Sequence, residues 1–334
     1  MKLGYGVYTD RPHIPGVVAQ LGARVVLLFD SALQLAPAIR ALCPDILIIG
    51  RKYFPIQSWN PDPYLAYTDG CNIADQLPIS QYPDVDVWQS YNEAISNDDP
   101  PEKWAAYDMF ERGFTDRIHY LGKKSIIGNI ACGNGTDAQL LEMYPSMAKA
   151  DYFGYHAYTS KETPGLIDQW YFNRYRSWIE EFSTRSLRFP PVILTEVGTY
   201  WPWKHPENYP LGECVELDPR PVFRSILEEM NTDWRIIGGC VFCLGDSGGW
   251  SGFDIDGEAD IMPSEGGTPM QLKEQFPDIH TGWIADGGDD EESFRFYLMA
   301  TRRLPVTEAN FKILGERLKS HIQELVNIGL ELHP

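Results

Sequence analysis

The chain repeats one pattern: a short run of apolar and β-branched residues, followed by a longer stretch in which apolar positions recur at helical spacing. Continuous apolar runs of about four to eight residues are typical of strands that are covered on both faces, as in parallel sheets. Such runs predict strands at 2–9, 23–29, 45–51, 85–92, 124–131, 151–158, 191–198 and 236–245. The pattern therefore predicts a parallel sheet with a helix after most strands.

Helices are predicted between these strands and after the last one. They lie at about 14–22, 31–42, 67–80, 101–121, 136–149, 165–185, 219–232 and 306–328. Eight strands that alternate with eight helices predict a (β/α)8 TIM barrel, here as a single catalytic domain over 1–334. An open, doubly wound sheet is the alternative, but the segment GVYTDRPH lacks the GxGxxG turn that often follows the first strand of such sheets.

The longest interruption of the pattern is the loop insertion 245–305, between the eighth strand and the last helix. In a barrel this loop lies at the carboxyl ends of the strands, where active sites are built. Its acidic residues resemble a calcium loop in their spacing, although Gly257 is out of place for that motif and no helices flank it. These residues are Asp254, Asp256, Glu258, Asp260 and Glu265. Calcium binding by the insertion is therefore left open.

Composition narrows the possible partners. Hydrophobic residues make up 43% of the chain, enough for a large core. The formal net charge of −19 at pH 7 disfavours nucleic acid and anionic membranes, and no run of about 18 apolar residues occurs. The amino-terminal sequence MKLGYGVYTDRPHIPG lacks the apolar stretch of a secretory signal. We expect a protein that is cytoplasmic or that has lost a leader.

Two carboxylates stand out because they end strands that are otherwise apolar. Glu93 follows Asn92 in VWQSYNEA at the end of the fourth strand, and Glu196 lies in VILTEVG at the end of the seventh. Burying a carboxylate is costly unless it is paired or used. Strands four and seven lie across the barrel mouth from each other, so we expect the two side chains to converge. A pair of carboxyl groups about 5–5.5 Å apart is what a retaining glycosidase uses.

With these motifs the sequence resembles the clan A glycoside hydrolases, barrels with an Asn-Glu pair after strand four and a nucleophilic Glu after strand seven. The resemblance implies a retaining enzyme that cleaves β-linked oligo- or polysaccharides, with Glu93 as acid/base and Glu196 as nucleophile. Asn92 would bind the sugar 2-hydroxyl. His156 and Tyr158, in GYHAY, match the place where clan members keep a His or Tyr that orients the nucleophile. Glu93 is expected to be less solvated, so that it holds its proton, and Glu196 to be hydrogen-bonded.

Further substrate-binding residues are predicted around this pair. Arg51 ends the third strand and is expected beside the nucleophile, with a pairing to some other nearby acid as the alternative. Trp201 and Trp250 are expected to stack on the apolar face of a sugar, or else simply to anchor loops. Clan members commonly carry a Trp at the end of strand eight, where this chain has Phe242 in VFCLG. That difference bears on which sugar is bound.

No metal and no cofactor is predicted. The histidines show no HxH or HExxH spacing, and the sequence contains neither GxSxG nor a P-loop, so metal-dependent hydrolases, serine hydrolases and nucleotide-binding proteins lack their local motifs. A carbohydrate substrate is the expected partner. One different class stays open, a non-catalytic carbohydrate-binding or assembly module on the same barrel, because a fold does not dictate a function. The sugar, the linkage and endo or exo action are not specified by the sequence.

Overall fold

The computed structural model describes residues 1–203, 217–245, 249–258 and 261–263. Within them, eight parallel strands form a closed barrel in which each strand pairs with its neighbours in sequence and β8 pairs with β1. The strands are Leu3–Val7 (β1), Val25–Phe29 (β2), Leu47–Arg51 (β3), Val87–Gln89 (β4), Lys124–Ile130 (β5), Tyr152–Tyr158 (β6), Val192–Gly198 (β7) and Ile236–Leu244 (β8). The predicted barrel is confirmed, and the alternative of an open sheet is wrong.

Helices connect the strands on the outside of the barrel. In the described part of the chain they are Ile14–Leu21 (α1), Ala36–Leu42 (α2), Pro63–Asp75 (α3), Pro101–Tyr120 (α4), Asp137–Glu142 (α5), Tyr144–Met147 (α6), Arg174–Thr184 (α7) and Pro219–Thr232 (α8). Short 3-10 turns occur at Asp30–Leu35 and Ser251–Phe253. The helix predicted at 306–328 and most of the insertion 245–305 lie outside the described residues. No helix in the described ranges is both long and apolar enough to cross a membrane.

The barrel belongs to the first of two compact units of the chain, Met1–Met230 with Arg235–Ser264. The second unit consists of Asn231–Trp234 and Glu265–Pro334. Its long segment lies outside the described residues. The assignment of 1–334 to a single domain therefore stays a prediction.

Two differences from the predicted elements have local causes. The helix predicted from 165 begins only at Arg174, because Oδ1 of Asp168 accepts hydrogen bonds from the backbone N–H groups of Trp170 (2.9 Å) and Tyr171 (2.6 Å). Such a side-chain turn competes with helix formation. The fourth strand ends at Gln89 instead of 92. The residues that follow it, which include the predicted acid/base, therefore lie in a loop.

Apolar residues fill the barrel and surround it. The interior cluster consists of Val25, Leu27, Ile49, Val87, Ile126, Ile193 and Cys240. Residues that alternate with these along the strands point outward and join the larger cluster beneath the helices. This alternation is the two-residue period of a strand. The filled interior leaves the carboxyl ends of the strands as the face on which polar side chains meet.

Helices α3 and α4 approach closely through one glycine from each. A Cβ atom on Gly70 would lie 2.0 Å from the Phe110 carbonyl oxygen, and one on Gly113 would lie 2.0 Å from that of Tyr67. Only a residue without a side chain permits this spacing. Because α4 also packs against β5, the glycine contact helps to fix the position of α4 over the fourth and fifth strands.

Candidate active site

A cavity of about 1090 Å³ opens at the carboxyl ends of the strands. In a (β/α)8 barrel this is the face that carries the active site. Six of the predicted site residues line the cavity, namely Arg51, Asn92, Glu93, Tyr158, Glu196 and Trp250. His156 lies beneath it and is fully buried. The structure therefore brings most of the predicted residues to one place.

The two predicted catalytic carboxylates converge in this cavity. A carboxylate oxygen of Glu93 and one of Glu196 lie within 4.8 Å of each other, and a ring nitrogen of His156 lies within the same distance of both. Glu196 is part of β7, and Glu93 belongs to the loop after β4. His156 is the register partner of Glu196 in the neighbouring strand β6. The three groups can therefore exchange protons and share charge.

Hydrogen-bond donors hold both oxygens of Glu196. Nη1 of Arg51 donates to Oε1 at 2.7 Å, and the Tyr158 hydroxyl donates to Oε2 at 2.6 Å. The Tyr8 hydroxyl lies 3.5 Å from Oε1. The Glu196 side chain is only 9% exposed. The position of this carboxylate is thus fixed by a cation on one side and a phenol on the other.

Glu93 has a different environment from the one predicted. Its side chain is 44% exposed, so it is the more solvated of the two acids. Burial of its carboxyl group raises the pKa of Glu93, but the His156 imidazole, through its charge and hydrogen bond, and Arg51 outweigh that effect. The net result is a pKa below the ordinary value for glutamate. The expectation that desolvation alone keeps Glu93 protonated does not match this arrangement.

His156 lies closer to Glu93 than to Glu196. Its Nδ1 is 2.6 Å from Oε1 of Glu93 and 3.4 Å from Oε2 of Glu196. Burial lowers the pKa of His156, but the two carboxylates raise it by more, so that the net shift is upward. Tyr158 makes the short contact with Glu196. The structure thus gives the two β6 residues separate partners, whereas the sequence assigned both to the nucleophile.

The loop that carries Glu93 is held in an unusual backbone conformation. Glu93 has φ of 53°, and its N–H donates to the Asn129 carbonyl oxygen at 3.1 Å. The side chain of Asn92 accepts a 3.0 Å hydrogen bond from Gln89, and its backbone N–H donates to the Gln57 side chain at 2.5 Å. A left-handed conformation is uncommon for a residue other than glycine. The contacts on both sides keep Glu93 in it.

Aromatic side chains form one wall of the cavity. The Trp250 ring packs edge-on against Phe242, with centroids 5.4 Å apart, and Trp250 remains 49% exposed. The position at the end of strand eight, where clan members have Trp, is thus occupied by Phe242 with Trp250 beside it. Trp201 is not part of the cavity lining, and its indole N–H donates to the Lys161 carbonyl oxygen at 2.9 Å. A sugar contact for Trp201 stays a prediction.

Other residues that line the cavity were not among those predicted from the sequence. Asp30, with φ of 45°, follows directly after β2, and Tyr53 follows shortly after β3. The Asp30 carboxylate accepts a 2.9 Å hydrogen bond from the Tyr53 backbone N–H. The rule that singled out Glu93, a polar side chain just beyond a predicted strand, would also have found Asp30. Asp30 follows a predicted strand just as Glu93 does, but it belongs to no recognisable motif.

The group Glu93, His156 and Glu196 has ligand atoms close enough to hold a metal ion. Nδ1 of His156 and Oε1 of Glu93 already contact each other, and Tyr158 binds Oε2 of Glu196, whereas Nε2 of His156 is buried without a hydrogen-bond partner among the described residues. The Arg51 guanidinium, 2.7 Å from Glu196, would also repel a cation bound there. The contacts fit proton chemistry better than metal binding. The expected absence of a metal stays a prediction.

Two acids of the calcium-like stretch are occupied by other partners. Asp254 accepts backbone hydrogen bonds from Gly245 (2.8 Å) and Asp256 (2.9 Å). Asp256 pairs with Arg11, and with His13 at 2.7 Å. Of the other three acids, Glu258 is among the described residues, and those at 260 and 265 lie outside them.

No protein-family model and no curated protein matches the chain. Several solved structures are similar to it. A beta-glucuronidase from Bacteroides uniformis has a TM-score of 0.49 and 13% identity over 78% of this chain and 33% of its own. An endo-beta-1,3-glucanase from Sorangium cellulosum has a TM-score of 0.47 and 15% identity over 79% of this chain and 94% of its own. A beta-xylosidase from Caulobacter crescentus CB15 has a TM-score of 0.45 and 14% identity over 76% of this chain and 64% of its own.

The chain spans about a third of the length of the Bacteroides uniformis protein. At these identities the likeness concerns the fold alone. The activity of this chain therefore has to be argued from its own side chains.

Proposed function

We propose that this protein is a retaining glycoside hydrolase that cleaves β-linked oligo- or polysaccharides by double displacement. Glu196 is the nucleophile and Glu93 is the acid/base. The observation that carries the proposal is the approach of the two carboxylates to within 4.8 Å at the barrel mouth. This spacing is close to the roughly 5–5.5 Å of retaining enzymes and shorter than the roughly 6.5–9.5 Å of inverting ones, which must admit a water molecule between acid and base.

In the first step a carboxylate oxygen of Glu196 attacks the anomeric carbon, and the bond from that carbon to the leaving oxygen breaks. Arg51 and Tyr158 hold Glu196 in place for this attack. The leaving oxygen takes a proton from Glu93. His156 is 2.6 Å from Glu93 and has a raised pKa, so we assign the proton to the Glu93–His156 pair instead of to Glu93 alone.

In the second step a water molecule attacks the anomeric carbon and the ester bond to Glu196 breaks. Glu93 accepts the proton of the water and returns it to the pair with His156. While the sugar is attached, Glu196 carries no charge, so one of the two carboxylates that raise the pKa of His156 is neutralised. The pair, which gave its proton to the leaving oxygen in the first step, is then less readily protonated again, so Glu93 stays a carboxylate and can act as a base.

The cavity lining suits a carbohydrate. Trp250 and Tyr53 present partly exposed rings that can stack on a pyranose, while Asn92 and Asp30 supply polar atoms for hydroxyl groups. Asn92 is placed beside Glu93, where a bond to the sugar 2-hydroxyl would strengthen as the ring flattens. The proposed partner is therefore a β-glycan or a β-linked oligosaccharide.

Incubation with a panel of aryl β-glycosides and β-glycans, with analysis of the products, tests the proposal. We expect Glu196→Gln to abolish release while sugar binding, measured by calorimetry, persists. Glu229→Gln, a change on α8 away from the cavity, is the matched control. Activity unaffected by Glu196→Gln, or products with inverted anomeric configuration, would contradict the assigned mechanism.

Replacement of the acid/base tests the second role. Glu93→Ala should lose about 10²- to 10⁴-fold in rate on substrates with poor leaving groups. The loss should be small on activated aryl glycosides, and azide should restore part of the activity by taking the place of the removed carboxylate. If wild-type protein binds glycans but releases no product, the alternative of a non-catalytic carbohydrate-binding module is correct.

A further inference from the structure

A carboxylic acid without a part in this mechanism is buried behind Glu93. Glu111 lies on α4 and is 0% exposed. Its Oε1 accepts hydrogen bonds from the Ser90 hydroxyl at 2.8 Å and from the Gly128 backbone N–H at 3.1 Å. Its Oε2 is buried and has no hydrogen-bond partner among the described residues. Burial of such a group is costly, and an apolar side chain would pack here without that cost.

The hydrogen bonds of Glu111 lead to the backbone of Glu93. Nδ2 of Asn129 donates to the Ser90 hydroxyl oxygen at 3.3 Å and to the Tyr91 carbonyl oxygen at 3.2 Å. The Asn129 carbonyl oxygen in turn accepts the N–H of Glu93 at 3.1 Å. We call Glu111, Ser90 and Asn129 the Glu111 network. It connects α4, the end of β4 and β5 to the residue proposed as acid/base.

Asn129 and Glu93, which are joined by the backbone hydrogen bond, both have a left-handed backbone, with φ of 46° at Asn129 and 53° at Glu93. This conformation is uncommon for residues other than glycine; asparagine adopts it more readily than most, but at Glu93 it persists only where the surroundings impose it. The Glu111 network supplies that constraint, because it ties the segment after β4 to β5 on the buried side. The direction of the Glu93 carboxyl group then depends on these contacts.

The protonation of Glu111 is consistent with this role. Burial raises the pKa of Glu111 to about 7, the Tyr107 and Ser90 hydroxyls and the Gly128 amide lower it by less, and Asp108 on the same helix raises it further. Below neutral pH the group is therefore a neutral acid. It can accept the two hydrogen bonds without placing a charge in the core.

We infer that Glu111 is a positioning residue for Glu93, and that it acts through Ser90 and Asn129 to fix the backbone turn that presents the Glu93 carboxyl group to the cavity. The role of Glu93 as acid rests on the proposed function, whereas the dependence of its position on Glu111 does not. The two parts can therefore be tested separately.

The first test needs no enzymatic activity. The contact between Glu93 and His156 raises the pKa of the buried imidazole, so displacement of Glu93 must lower it. We expect titration of His156, followed by ¹⁵N NMR, to show a lower pKa in Glu111→Leu than in wild type. The matched control is Asp108→Leu, which removes another buried acid of α4 that binds the Ser146 backbone N–H instead. An unchanged His156 titration in Glu111→Leu overturns the inference.

The second test uses leaving groups. We expect Glu111→Leu and Ser90→Ala to lose roughly tenfold or more in rate on poor leaving groups and little on activated ones, because only the former need the acid. Glu111→Gln should restore the rate, since its amide oxygen accepts the same two hydrogen bonds. Equal losses on all substrates, or no rescue by Gln, overturn the inference, and Ser90→Ala serves if Glu111→Leu does not fold. Wild-type protein without activity contradicts only the proposed function, and NMR then decides the role of Glu111.

Discussion

The Tyr158 hydroxyl donates a 2.6 Å hydrogen bond to Oε2 of Glu196, the oxygen that Arg51 does not bind. A hydrogen bond to a charged group contributes about 1.5–3 kcal/mol. Tyr158→Phe should therefore lower kcat by roughly 10- to 100-fold with little change in KM, as measured by steady-state kinetics. Tyr8→Phe is the control, since its contact of 3.5 Å is long and should matter less. Equal effects of the two substitutions would argue against a special role for Tyr158.

Removal of His156 should change the pH profile. In the wild type the pair His156 and Glu93 holds a proton at a pKa that the carboxylates raise above the ordinary value for histidine. The proton is present below this pKa and lost above it, so the pair sets the basic limb of the profile. In His156→Asn only the Glu93 carboxyl group can hold the proton, and the basic limb of kcat/KM should move to lower pH. A limb that stays in place would show that His156 does not store the proton.

Chelation should leave the activity unchanged. Arg51 lies 2.7 Å from Glu196, where it takes the position of the positive charge that a metal would supply. We expect the same rate before and after dialysis against a chelator, and no increase after addition of divalent cations. Loss of activity that zinc or manganese restores would instead assign Glu93, His156 and Glu196 to a metal site.

The stability of the protein should depend on the protonation of Glu111. Its pKa of about 7 in the folded state lies above its ordinary value, so the neutral acid stabilises the fold at low pH and this contribution is lost as pH rises through 7. The shift corresponds to roughly 3 kcal/mol. Between pH 4 and 8, the free energy of unfolding of Glu111→Gln should therefore rise relative to that of wild type by about this amount, as measured with urea. Parallel pH curves for the two proteins would contradict the assignment.

The aromatic wall can be tested through KM. Trp250→Ala removes a half-exposed ring from the cavity, and stacking of this kind contributes about 0.5–1.5 kcal/mol. We expect KM for an oligosaccharide to rise several-fold while the melting temperature changes little. Trp170→Ala, which removes an equally exposed indole that is not part of the cavity lining, should leave KM unchanged. A larger effect at Trp170 would place the substrate elsewhere.

The barrel could be predicted from the sequence because each strand is a compact apolar run and strands of one barrel end on one face. The convergence of Glu93 and Glu196 followed from the same geometry, since both acids come at or just after the carboxyl ends of parallel strands of one closed barrel. The hydrogen-bond partners of the two carboxylates did not follow from this geometry. His156 lies 2.6 Å from Glu93 and 3.4 Å from Glu196, and this preference depends on a loop that begins at Ser90, two residues before the predicted strand end.

Glu111 was beyond the reach of sequence reasoning for another reason. On α4 it occupies an ordinary position in a long helix with charged residues of both signs, where a solvated glutamate is the natural expectation. Its burial is decided by the helix axis and by the neighbours that β4 and β5 supply. A single polar residue in a helical pattern carries no sign that it faces inward.

The close approach of α3 and α4 at Gly70 and Gly113 has a consequence for the evolution of this protein. One added methyl group at either position would act as a wedge between the two helices, and α4 would tilt outward with Glu111 attached. The disturbance would reach Glu93, the proposed acid/base, although no residue of the cavity had been replaced. Mutations at this remote helix crossing can therefore abolish the proposed activity. Compensating mutations would have to arise at the crossing instead of in the cavity.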